Sequence, residues 1–179
     1  MPDTLEAPEN KRRDASGRRW DTWDDVQRDP LLRELPFKIE TNQHGQVVMS
    51  PPPGFPHSLR QPKIARLLED HLSGGYVVTE CPVKTAKGTK GLDVGWFSSE
   101  RRAKIGDSSQ SPVAPEICVE ILSPSNTEAE MDEKRALYFE AGAEEFWLCS
   151  TEGDMRFFDA DGEQTTSQRV PDFPDQIDV

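Results

Sequence analysis

Cysteine is scarce in this sequence. Cys81, Cys118 and Cys149 are odd in number and widely spaced, and two of them sit in apolar runs. That pattern excludes a disulfide frame or a zinc site and reads as reduced core cysteines of a cytoplasmic protein. Long apolar runs are missing too: nothing approaches the ~20 residues that span a bilayer, so no membrane contact is expected. The opening MPDTLEAPENKRRDASGRRW contains no apolar stretch of the kind a secretory signal needs. There is no Gly-rich phosphate loop of the GxxxxGKS/T or GxGxxG kind, no nucleophile elbow and no internal repeat. Ser123–Pro124–Ser125 reads as the end of a strand and the cap of the next helix rather than as a serine nucleophile.

Positive charge is in short supply, and unevenly so. The formal net charge is −12. Residues 1–115 carry 17 Lys and Arg against 16 Asp and Glu, whereas residues 116–179 carry 4 against 17. The acidity therefore belongs to the C-terminal third. A polyanion would have to meet the other two-thirds, where Lys84, Lys87, Lys90, Arg101, Arg102 and Lys104 cluster, either as a binding patch or as a solvated face.

What is present reads as one domain. Residues 1–19 are polar and aperiodic, a disordered or tag-like tail; residues 20–170 form the domain, and 171–179 a C-terminal tail. Asp21 is placed to cap a short helix carrying Trp23, Val26 and Leu31 or Leu32. Lys38–Thr41 and Gln46–Ser50 predict a hairpin, and PPPGF a rigid loop. A helix is expected from His57 to Ser73, with Pro62 in its first turn or at a kink, ended by Gly74–Gly75. Two strands follow, YVVTECPVKT and GLDVGWF, split by a basic turn AKGTKG, and then a polar loop over 98–114. ICVEIL is a further strand, residues 127–141 a helix ending at Gly142, EFWLCS a buried strand, and MRFFDADGEQTT a hairpin turning at Asp161–Gly162. The fold class is mixed α/β (α+β): one central sheet flanked by helices, with an N-terminal hairpin.

Three charges sit where charges are costly. Glu120 interrupts ICVEIL and shares a strand face with Cys118 and Leu122; alternatively it lies at a fraying end, facing water. Asp93, in GLDVGWF, lies inside a strand that disfavours it, or is a turn residue after Gly91. Lys134 lies at about 300° on a helical wheel where Met131 is 0°, Tyr138 about 340° and Leu137 about 240°. It therefore points with the apolar stripe toward the sheet. The alternative, an i,i+4 pair with Glu130 and a snorkelling stem, is worth only tenths of a kcal/mol.

Taken together, the three place two carboxylates on neighbouring strands and an amine from the next helix at one point. Such a pair suits a hard divalent ion, magnesium or its substitute manganese, whose charge would keep Glu120 ionised. A lysine beside it can orient water or neutralise a developing phosphoryl charge. The constellation fits metal-assisted phosphodiester hydrolysis.

The stretches IETNQHGQVVMSPPPGFPH, GLDVGWF and PEICVEILSPSN, then Glu130, Lys134, Tyr138 and AGAEEFWL, resemble the Uma-type restriction endonuclease family of the PD-(D/E)xK nuclease superfamily. The resemblance runs from about Phe37 to Ser150. It implies a restriction-endonuclease-like mixed sheet, with Asp93 and Glu120 as the metal-holding acids and the backbone carbonyl of Ile121 as a further ligand. The superfamily's common lysine position is Leu122 here, and the family's migrated lysine matches Lys134. Glu40 and His57 match positions at the rim of the site; His57 reads equally well as a plain helix-starting histidine. Leu92 replaces the family's usual proline, and Glu130 its usual aspartate. The resemblance further implies a DNA substrate and a homodimer.

The leading expectation is thus a magnesium-dependent endodeoxyribonuclease. Two others stand beside it: a catalytically silent nuclease-fold module that binds or regulates, and a hydrolase of another phosphate ester.

Overall fold

A computed structural model describes Trp20 and residues 22–179. The expected tail at 1–19 and the Asp21 cap lie outside the described residues. The first helix, α1 (Trp23–Arg28), is capped by Thr22 and Asp25 in a reciprocal box, and a single 3₁₀ turn follows at Leu32–Glu34. Strands β1 (Lys38–Thr41) and β2 (Val47–Ser50) form the expected hairpin.

A six-stranded sheet makes the body, in the order β3 (Gly75–Thr85), β4 (Gly88–Ser98), β5 (Ile117–Ile121), β6 (Glu145–Cys149), β7 (Met155–Asp159) and β8 (Gly162–Gln164). All neighbours are antiparallel except β5 and β6, which are parallel. Parallel neighbours need a crossover, and α4 (Glu128–Glu140) supplies it. Helix α2 (Phe55–His71) packs Ile64 and Leu68 on one sheet face, against Val94, Val119 and Ile121. Helix α4 packs Met131 and Tyr138 on the other, against Cys118, Phe146 and Leu148. A strand covered on both sides reads as a continuous apolar run, which is why β5 and β6 are buried at every position.

Several boundaries differ from expectation for local reasons. Helix α2 begins two residues early, because Gly54 serves as N-cap and Pro56 fits the first turn, so Pro62 lies in the helix interior. The β3–β4 turn is only Ala86–Lys87, with Gly88 at φ +89, so the expected basic turn belongs mostly to β4. Likewise the β7–β8 turn is Ala160–Asp161, with Gly162 already paired to Asp159. The polar loop at 98–114 contains a short helix, α3 (Ser99–Ala103), capped by Ser98. Residues 171–179, expected as a tail, bury Phe173 and Ile177 against Trp147 and Phe157 in the α2-side core. Backbone bonds from Met155 to Asp175 and from Ile177 to Gly153 hold them there.

Strand β4 breaks its alternation at Asp93. Leu92 and Val94 are two residues apart, yet pack into opposite cores. Ladder pairing of β4 with β5 stops at Val94–Val119, one residue before Asp93 and Glu120. Opposite Asp93, on β3, Glu80 takes a left-handed conformation at φ 51, which a side chain with a Cβ rarely adopts. The strands thus part where the two acids lie.

Candidate active site

A cavity of about 890 Å³ opens at this parting, lined by Glu40, His57, Asp93, Glu120, Ile121 and Lys134 among others. All six residues singled out in the sequence therefore face one space. Each is delivered by a different local device. Asp93 replaces the ladder that β4 has given up, and its Oδ2 accepts the Ile121 backbone N–H at 2.8 Å. Glu120 continues the Cys118 face of β5 toward α4, as the alternation requires. Lys134 lies on the buried side of α4 with Met131, Leu137 and Tyr138, so the wheel placement holds. Its Nζ donates to Glu120 Oε2 at 3.3 Å and to Glu40 Oε1 at 3.1 Å. The alternative partner, Glu130, is exposed and instead completes a capping box with Thr127.

Glu40 arrives with the docked hairpin. Its Oε1 also accepts the Gly91 N–H at 3.0 Å, while Thr41 Oγ1 accepts the Thr89 N–H at 2.8 Å. Gly88 permits the approach, since a Cβ there would stand 2.4 Å from the Thr41 carbonyl. His57, in the first turn of α2, lies 3.2 Å from Asp93 Oδ2 through Nε2, and its buried Nδ1 has no partner among the described residues.

Two participants were given no role at the site by the sequence. Lys38 Nζ donates to Asp93 Oδ1 at 2.6 Å. The Tyr138 hydroxyl donates to Glu120 Oε1 at 2.7 Å. Both signals were available: Lys38 shares a strand face with Glu40, two residues on, and Tyr138 stands four residues after Lys134 on one helical stripe.

These contacts set the proton affinity of each buried group. Burial would raise the Asp93 pKa, but the His57 bond, the Lys38 ammonium and the Ile121 N–H together hold it well below the ordinary carboxylate range. Glu120 goes the other way: burial, aided by the Asp93 and Glu40 charges, pushes it up to about 7 against the pull of Lys134. Burial would lower Lys134, yet Glu120, Glu40 and Asp93 outweigh it and raise its pKa. Lys134 and Tyr138 already hydrogen-bond Glu120, yet they do not hold its pKa down to the ordinary carboxylate range.

No three His, Cys, Asp or Glu among the described residues stand together as a closed metal nest. The donor chemistry nonetheless suits a hard divalent ion. Three carboxylates, Glu40, Asp93 and Glu120, line one cavity, and no thiol lines it. Glu120, destabilised as an anion by its neighbours, is the kind of ligand a dication would relieve.

The basic cluster expected on the surface is largely engaged elsewhere. Arg101 braces the Ala114 and Gly142 carbonyls and pairs with Glu116 and Glu144. Lys87 pairs with Glu133, and Lys104 with Glu100. No helix among the described residues is long and apolar enough to cross a membrane.

The family model of Uma2, described as a putative restriction endonuclease, matches residues 23–179. No curated protein matches the chain. Among solved structures, the crystal structure of a putative nuclease of the DUF820 group from Anabaena variabilis is similar, with a TM-score of 0.57 and 16% identity. That match covers 75% of this chain and 84% of the other, and shows a shared fold.

Proposed function

Because the chain belongs to the Uma2 family, we propose that it hydrolyses phosphodiester bonds in DNA with the help of a divalent ion, magnesium or manganese. The observation that carries this reading is the convergence of Asp93, Glu120 and Lys134 on one cavity where β4 and β5 separate.

Asp93 and Glu120 would hold the ion, with Glu40 and the Ile121 carbonyl as further oxygen donors. When bound, the ion would supply Lewis-acid stabilisation of charge on a phosphoryl oxygen. The remaining work falls to the chain's own groups. Lys134, kept protonated by the surrounding carboxylates, would orient the attacking water or neutralise charge on a non-bridging oxygen. Tyr138 fixes one oxygen of Glu120, so the other is presented to the cavity side with Lys134. His57 steadies Asp93 from the α2 side.

The test uses plasmid or linear DNA with magnesium. The wild type is expected to cut, and Asp93→Ala and Lys134→Ala each to lose at least a hundredfold in rate, the order of removing one preorganised electrostatic group. Unimpaired cutting by both variants would exclude this site.

A second reading is favoured by one observation. Both acids already have lysine partners, Lys38 on Asp93 and Lys134 on Glu120. A nuclease fold whose carboxylates are satisfied internally could serve as a silent binding module. Such a protein would bind neither magnesium nor manganese in a calorimetric titration, and Glu120→Ala would change nothing.

A further inference from the structure

Among the described residues Lys38 makes the shortest polar contact in the cavity, 2.6 Å to Asp93 Oδ1, and it is reached only because the hairpin docks across β4. Its stem passes over Gly91, where a Cβ would stand 2.8 Å from Lys38 Cε. The absence of a side chain at Gly91 thus makes the channel that carries the ammonium to Asp93. A second carboxylate stands nearby: Glu80 Oε2 lies 3.8 Å from the same nitrogen and is half-exposed. Glu80 holds that place in the left-handed conformation noted above, opposite Asp93.

We propose that Lys38 is a tethered cation that occupies Asp93 in the metal-free protein, and that a divalent ion loads only by displacing its ammonium toward Glu80. This rests on the reading of Asp93 as a metal-holding residue. Lys38 is then a positioning residue: it holds the Asp93 carboxylate in place before loading, and sets how tightly the ion is held. Ammonium and dication compete for the same oxygen, so the ion's affinity is lowered by whatever it costs to move the lysine. Lys134 is not equivalent, because it contacts Glu120 and Glu40 and makes no hydrogen bond to Asp93.

Calorimetric titration with manganese tests this in the full chain, comparing wild type, Lys38→Met and Gly91→Ala. Lys38→Met removes the charge. Gly91→Ala keeps it but pushes the stem aside, which separates occupancy of Asp93 from the general field of a nearby cation. Both variants are expected to bind manganese about tenfold more tightly or better, the scale of one charge-assisted hydrogen bond that need not be broken. Thermal melts confirm that each variant is folded, with Lys38→Gln as replacement if Lys38→Met is not. Weak uptake by the wild type with strong uptake by both variants also supports the proposal. Equal or weaker binding by the variants, with a wild type that binds, overturns it and leaves the metal reading standing. Tighter binding by Lys38→Met alone, with Gly91→Ala unchanged, overturns displacement in favour of a mere field effect. No uptake by any of the three removes the metal reading, and this inference with it.

Discussion

Glu120 carries a proton affinity that differs sharply between the folded and unfolded chain. Its folded pKa is about 7 and its ordinary value 4.5, so between those values the native state binds more protons than the unfolded one. Stability must then fall as pH rises across that window, by up to about 3 kcal/mol for one fully buried group. Asp93 acts oppositely and elsewhere: its folded pKa lies below 3.8, so its contribution is present above that value and is lost as pH falls below it. Urea denaturation in chelator at pH 5 and pH 7.5 should show the Glu120 slope as the difference between wild type and Glu120→Gln. Identical slopes in the two proteins would refute the assignment. Lys134→Met removes the cation that opposes the rise, so the falling limb should move to higher pH still; an unmoved limb would mean that Lys134 does not act on Glu120.

Among the elements, β4 is the one whose geometry makes the site. Gly95 faces Pro115 and Leu92, and a Cβ there would meet Pro115 Cγ at 2.6 Å and Leu92 Cδ2 at 2.9 Å. Leu92 has swung to this face because the strand's alternation breaks at Asp93. Gly95→Ala is expected to cost about 1–3 kcal/mol by overpacking, read as a lower urea midpoint at unchanged m-value. A neutral result would imply that Leu92 can return to the Val94 face without cost, and that the break in β4 is not enforced by packing. Helix α4 is the other decisive element. Its capping box at Thr127 and Glu130 fixes where the helix starts, and hence which residues of its stripe, Lys134 and Tyr138, stand over Glu120.

For the molecule as a whole, the C-terminal segment is structural. Phe173 and Ile177 are buried, and Phe173 lies 4.6 Å from the Trp147 ring centre. Removing residues 172–179 takes both side chains away and exposes the Trp147 face they cover, and is expected to cost about 3–6 kcal/mol for the loss of two large buried side chains. Given ordinary domain stabilities, that is a large fraction of the total, so the truncated chain should melt far lower or without a cooperative transition. A truncated protein with the wild-type melting temperature would show that this segment merely rests on the core.

The sequence by itself determined the fold class, the buried strands β5 and β6, the extent of α4 and the three anomalous charges, because each of these follows from local periodicity. Lys134 facing the sheet is a property of 100° per residue, and Glu120 facing α4 a property of strict alternation. The tertiary structure alone decided what those charges meet. Lys38 reaches Asp93 through the docking of a hairpin onto a strand more than fifty residues later, and no periodicity spans that gap. The break in β4 and the burial of Phe173 and Ile177 likewise arise from packing between distant segments, where local propensity has no say.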